Sequence, residues 1–393
     1  MKPNSAALDE MFEQAAANEV YPGVVAIVAN ATGVMYEGAF GMSDCSRSDS
    51  MEIDSLHGIA SMTKFATSIA LLQLVERGEL DLRTPVGDLI PAYDALSVLD
   101  GFSDDGTPLL RPSRRRGTIF NVLTHTSGLA HPMWNAKLGR YVDVTEGLEP
   151  EDLSGTRKAF TIPLVCEPGE QFIYGMGMDW AGLVIETVAG RPYDVVVREQ
   201  VLEPLGLRDT VPLRSAEQLA RTAKVHTRGV DGHWQPMEAS YYRPGVIEPE
   251  YYPAGHCLYS TAPDFMRLQM TIMNGGTYDG VQLLAPETVE GFFRNEIGSF
   301  DVGLMRSAIP SATCDVPLQG WKWGRGIMMT DRDRPEGRSA GSAGWCGGWN
   351  TFFWMDRTKG LAAAMYTQSM PFYDPGVIDC YKRFESLVYS LFA

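Results

Sequence analysis

Ser61 and Lys64 stand three residues apart, where a loop containing His57 and Gly58 gives way to an apolar-periodic stretch. On a helix that spacing puts both side chains on one face, so the amine can reach the hydroxyl. A serine hydroxyl is a weak nucleophile until a neighbour takes its proton, and a desolvated lysine can serve. The same residues also fit a plain helix cap followed by an exposed lysine, and S-x-x-K arises by chance about once in a few hundred residues. A second candidate, Tyr174, lies in the Gly-rich loop Pro168 to Trp180 just ahead of another helix, where its hydroxyl can enter a cleft instead of packing its ring. A third element, Gly344-Trp345-Cys346-Gly347-Gly348-Trp349-Asn350, leads into a strand. Small residues at a strand edge let a substrate carbonyl approach main-chain N–H groups, as an oxyanion hole requires.

The elements that must position these groups come from both ends of the chain. Val24 to Ala29 and Gly33 to Gly41 form a β-hairpin pattern about the turn signal Asn30-Ala31-Thr32-Gly33, behind a helix over 6–18. Near the other end, 351–356 and 361–368 are strand-like runs followed by a helix over 377–391. Two strand pairs at opposite termini, each beside a helix, predict an α+β fold with one antiparallel sheet built from both termini. The middle is mainly helical: 65–78 with Ile69, Leu72 and Val75 on one face, then 178–190 and 193–201. The expected division is a sheet domain of 1–60 and 225–393 and a helical domain of 61–224, with the site at their junction. The stretch 100–117, rich in Gly, Pro, Asp and Arg, is expected to be a surface excursion, with Arg111, Arg114, Arg115 and Arg116 as a solvated patch.

Composition narrows the function classes. In 393 residues, 33 Lys+Arg stand against 49 Asp+Glu, a net charge of −16 that repels phosphate backbones and anionic headgroups. No nucleic-acid or membrane partner is expected, and no early apolar run approaches the roughly 20 residues of a spanning helix. A cytoplasmic location follows as an expectation. The six cysteines and six histidines are dispersed without ligand spacing, so free thiols, no metal and no cofactor are expected.

Ser61-Met62-Thr63-Lys64, the Tyr174 loop through Trp180-Ala181-Gly182, and Val122 through Leu129 with its Thr124-His125-Thr126-Ser127-Gly128-Leu129 core carry a family resemblance. Glu203-Pro204-Leu205-Gly206-Leu207 and Gly255 through Asp264 add to it. Over nearly its whole length the chain resembles the serine β-lactamase and penicillin-binding-protein superfamily. Within it the likeness is to class C β-lactamase-like family VIII carboxylesterases and the related lovastatin-type acyltransferase. The resemblance implies a β-lactamase/transpeptidase-like fold, Ser61 as the acylated nucleophile, Lys64 and Tyr174 as the proton-handling pair, and an oxyanion hole of the Ser61 and Gly348 N–H groups. Two departures bear on substrate. Such β-lactamases have Asn two residues after the tyrosine, where this chain has Met176, and Lys-Thr-Gly on the edge strand, where it has Trp345-Cys346-Gly347. Losing the lysine removes the cation that would pair with a drug carboxylate, and the indole is more apolar.

A carboxylesterase acting on short to medium acyl esters is therefore expected, with a small-molecule ester as its partner. Trp345, Gly347, Met176, His125 and Tyr252 are candidate substrate contacts, and Trp134, Tyr141 and Trp349 candidate pocket aromatics. The alternatives are an acyltransferase to an alcohol or amine, a weak β-lactamase, and a ligand-binding sensor without turnover. Gly337-Arg338-Ser339-Ala340-Gly341 fits the G-x-S-x-G nucleophile elbow but lacks the strand before and helix after that the elbow needs, so a loop is expected there. Cys346 has no neighbouring cation in sequence and is expected to be a small packing residue.

Overall fold

Val24 to Ala29 is apolar without a break because the strand it forms, β1 (Gly23–Asn30), is covered on both faces and buried along almost its whole length. The Asn30 carboxamide closes the turn by accepting from the Thr32 and Gly33 N–H groups, and β2 (Gly33–Asp44) returns antiparallel. β3 (Asp49–Ser50) follows at the sheet edge. The remaining strands come from the far end of the chain: β4 (Lys322–Trp323), β5 (Met328–Met329), β6 (Ala343–Gly347), β7 (Thr351–Asp356) and β8 (Leu361–Tyr366). Together they make an eight-stranded antiparallel sheet of order β4-β5-β6-β7-β8-β1-β2-β3. β1 and β8 join the termini, with Val25 opposite Tyr366 and Asn30 opposite Leu361. The α+β sheet anticipated from the two terminal strand pairs is the one observed. The protein is described by a computed structural model over residues 5–237 and 249–393.

One face of the sheet is covered by α1 (Ala6–Ala17) and by the terminal helix 375–392, through Phe12 against Phe384 and through Phe352 and Trp354 against Tyr381. The other carries α2 (Thr63–Glu76) and a helix over Ala262–Met273, where Phe65, Phe265 and Phe353 meet at ring distances of 5.1 to 6.1 Å. From that helix Gln269 reaches the sheet and donates to the Trp354 and Ala363 carbonyls. α2 departs from the one-faced pattern expected of it: Thr63 through Leu74 are all buried, because the sheet lies on one side and α3 (Gly177–Ala189) on another. The segment 193–201 divides into an α-helix, Tyr193–Val197, and a wider π turn, Arg198–Leu202.

The stretch 100–117 is more ordered than its composition suggests. Ser97–Phe102 and Pro108–Pro112 pair as a hairpin, Arg111 bridges Asp100 and Glu167, and Arg116 bridges Asp88 and Asp94. All six cysteines are free thiols. Among the described residues no helix is long and apolar enough to cross a membrane.

Candidate active site

The chain reaches Ser61 through a fixed approach. His57 and Gly58 pair with Ser260 and Tyr259, and the Gln368 carboxamide clamps Gly58 from both sides, donating to its carbonyl and accepting from its N–H. Ala60 then takes φ +42°, a left-handed conformation that a residue with a Cβ adopts at a cost. Ser61 follows in the single 3₁₀ turn that opens α2, half-exposed, while Lys64 in the first turn of α2 is 4 % exposed. The helical spacing does what it predicts: Lys64 Nζ lies 3.0 Å from Ser61 Oγ. The same nitrogen donates to the Gly255 carbonyl at 2.8 Å, and the Gly255 N–H donates to Asp179 Oδ1 at 2.8 Å.

Tyr174 comes up beside Lys64 from its own loop, buried and outside the residues that line the cavity at Ser61. The Lys64 nitrogen is 5.0 Å from the centre of its ring. Its hydroxyl accepts a hydrogen bond from Trp345 Nε1 at 3.2 Å. The ring sits among aromatic neighbours: His125 at 4.7 Å, Trp345 at 5.1 Å and Trp134 at 5.5 Å. A phenol held this way has little rotamer freedom left to lose.

Five other anticipated residues also lie off the cavity wall. His125 is buried behind Tyr174, in a left-handed conformation (φ +54°), and pins the loop at both sides. Its carbonyl accepts from Ile173 N–H and its Nδ1 from Gly175 N–H. Burial, reinforced by the charge of Lys64, holds its imidazole well below the ordinary histidine range, so it stays neutral and structural. Trp345 is 4 % exposed and touches Tyr174 instead of lining the cavity. Gly347 is small for a packing reason, since a Cβ there would stand 2.3 Å from the Ile59 carbonyl oxygen. Tyr252 is half-buried against the main core. Tyr141 packs against a separate cluster that includes Leu138, Val142 and Met176.

The cavity beside Ser61 has a volume of about 160 Å³. Lys64, Met176, Trp134, Gly348 and Trp349 line it as anticipated, and Asp179, Gly255, His131, His256, Met133, Ala312 and Met370 join them. The two histidines are pushed down by burial and by Lys64, to about 4 for His131 and about 3 for His256, so both imidazoles are neutral near pH 7. A larger hollow, about 280 Å³, lies between β6 and the terminal helix and contains none of Ser61, Lys64 and Tyr174. Cys346 borders it, its thiol pushed up to about 12 by burial, which suits a packing residue. Ser339, in the G-x-S-x-G stretch, is buried in the loop before β6, its N–H bonded to Asp356. Among the described residues no group of His, Cys, Asp and Glu could hold a metal ion.

Sequence pattern gave no hint of Asp179, which as an acidic residue in the first turn of α3 looks like an ordinary partner of the helix dipole. Its role at the site depends on a loop some seventy residues later, since Gly255 is what joins it to Lys64.

A nucleophile with an amine at hydrogen-bond distance, a phenol beside it and a strand edge opposite is the equipment of covalent acyl transfer. The Beta-lactamase family profile matches residues 8–385. The chain belongs to the beta-lactamase family. It is 29% identical to the monacolin J acid methylbutanoyltransferase of Aspergillus terreus over 98% of this chain and 95% of that one. It is 28% identical to the esterase EstB of Burkholderia gladioli, over 93% of this chain and 90% of that one. Among solved structures, a LovD6 mutant of simvastatin synthase from Aspergillus terreus superposes with a TM-score of 0.84 at 28% identity, covering 98% and 97% of the two chains. The protein is thus an enzyme of the serine β-lactamase-like family, an acyltransferase or esterase.

Proposed function

We propose that the protein is a carboxylesterase that cleaves neutral short to medium acyl esters through an acyl-enzyme at Ser61. The observation that carries this reading is the 3.0 Å contact between Lys64 Nζ and Ser61 Oγ at the wall of the cavity. Lys64 and Tyr174 take the hydroxyl proton between them as Ser61 attacks the ester carbonyl, and the Ser61 and Gly348 N–H groups receive the oxyanion. Tyr174 returns the proton to the departing alcohol, and water repeats the sequence on the acyl-enzyme. The walls formed by Met133, Trp134, Met176 and Trp349 favour an uncharged acyl or alcohol group.

A second reading, transfer of the acyl group to an alcohol or amine, is favoured by the likeness to a methylbutanoyltransferase along 98% of the chain. The two share every step up to the acyl-enzyme and differ in whether water or an acceptor resolves it. Turnover of p-nitrophenyl esters from acetate to laurate, on wild type and Ser61→Ala, tests the nucleophile, and retained turnover in the variant refutes it. Product analysis with a competing alcohol separates hydrolysis from transfer. Stoichiometric labelling by a fluorophosphonate without turnover of any ester or acceptor would instead support a binding protein.

A further inference from the structure

Asp179 is a buried carboxylate on the cavity wall for which the acyl chemistry above has no use. Its Oδ1 accepts the Gly255 N–H at 2.8 Å, and the Gly255 carbonyl accepts from Lys64 Nζ at 2.8 Å, the nitrogen that also touches Ser61 Oγ. One residue thus joins carboxylate and amine through the two polar groups of its own backbone. The site is tight around Gly255, since a Cβ there would lie 3.1 Å from Asp179 Oδ1 and 3.3 Å from Lys64 Nζ and would press both side chains back. We infer that Asp179 is a positioning residue for Lys64, its negative charge holding Gly255 so that the carbonyl takes one amine hydrogen and aims the nitrogen at Ser61. The inference rests on the acyl-enzyme reading of Ser61 and deepens it.

The charge on Asp179 is switchable. Burial raises its carboxyl, the Gly255 hydrogen bond and Lys64 lower it, and the outcome is about 6. The other titratable groups around it are Tyr193 at the start of the following helix, Tyr251, His256 and Cys257 around Gly255, Lys64 on α2, and His131 across the cavity, which burial and Lys64 hold at about 4. Burial holds Tyr193, Tyr251 and Cys257 well above their ordinary ranges and His256 at about 3, so these four keep one charge state where Asp179 titrates. Asn at 179 keeps an acceptor for the Gly255 N–H and lacks the charge, which makes it a mimic of the protonated acid.

The test is the rate at which a fluorophosphonate labels Ser61 in the full chain, measured from about pH 5 to about pH 8.5 in wild type, Asp179→Asn, Asp179→Ala and Gly255→Ala. The ratio of wild-type to Asp179→Asn rates is expected to be roughly 10 at the alkaline end and to fall toward 1 below about pH 6, because there the wild type has lost the same charge. Asp179→Ala and Gly255→Ala are expected to be slower than Asp179→Asn at every pH, since one removes the acceptor and the other wedges the bridge. Taking the ratio cancels every pH effect the two proteins share, and a merely structural role would leave it flat. A flat ratio, or equal rates throughout, with Ser61 labelled in wild type, overturns this inference alone. Failure to label Ser61 in wild type overturns the nucleophile assignment and this inference with it.

Discussion

Trp345 Nε1 donates to the phenol oxygen of Tyr174 at 3.2 Å, which makes the indole a director of that hydroxyl and not a wall of the substrate cavity. In the proposed chemistry that donor fixes the direction of the phenol oxygen, the atom that exchanges protons with Ser61 and the departing alcohol. Trp345→Phe keeps an aromatic ring and removes the donor. A hydrogen bond to a developing charge is worth about 1.5–3 kcal/mol, so kcat on a p-nitrophenyl ester should fall roughly 10- to 100-fold. KM should change little, and a KM rise with kcat intact would show that the indole contacts substrate after all.

The adjacent glycines of the β6 edge should behave differently. A Cβ at Gly347 meets the Ile59 carbonyl oxygen and the Thr351 hydroxyl, each at 2.3 Å, and the first of these is backbone that cannot turn aside. Overpacking of that kind costs about 1–3 kcal/mol, so Gly347→Ala should lower the melting temperature and the activity together. At Gly348 a Cβ meets nothing within 4 Å. Gly348→Ala should therefore melt as wild type does, and because its N–H survives, ester turnover should persist. Unfolding of Gly348→Ala, or wild-type stability of Gly347→Ala, would contradict the packing described.

Asp179 should cost stability at neutral pH. Its folded-state value of about 6 lies above the ordinary 3.8, so folding favours the protonated acid. The stability this contributes is present at low pH and lost as pH rises through about 6. The difference amounts to roughly 3 kcal/mol. Asp179→Asn should raise the melting temperature at pH 7.5 and lose that advantage near pH 4, as read by thermal denaturation at both. A variant less stable than wild type at pH 7.5 would show that the carboxylate is a net stabiliser.

Nitrocefin should be a poor substrate beside a neutral ester. The strand position that would need a cation for a β-lactam carboxylate is held by the buried Trp345, and Met176 brings a thioether to the cavity wall in place of a carboxamide. Loss of one charge-assisted hydrogen bond alone is worth roughly 10- to 100-fold in kcat/KM. Parallel assays on wild type decide it, and comparable kcat/KM values on the two substrates would refute the assignment of these positions.

What was legible in the sequence was whatever depended on local period. The spacing of Ser61 and Lys64 translates directly into a 3.0 Å contact because a helix fixes it, and β1 and β2 follow from an unbroken apolar run and the Asn30-Ala31-Thr32-Gly33 turn. The sheet joining both termini was inferable from its two strand pairs. What stayed hidden depended on three-dimensional convergence. Nothing along the chain ties Asp179 to Gly255, or shows that the His125 ring lies behind Tyr174 and not in front of it. The full burial of α2 was likewise invisible, because a second layer of helix covers the face that a two-layer fold would leave wet.

Gly348 follows β6, which is tied to the N-terminal hairpin through three successive pairings, with β7, from β7 to β8, and from β8 to β1, where Val25 stands opposite Tyr366. The serine and its amine come some 280 residues before the edge to which the proposed chemistry assigns the oxyanion. A chain made only as far as α2 therefore carries the serine and the amine without that edge.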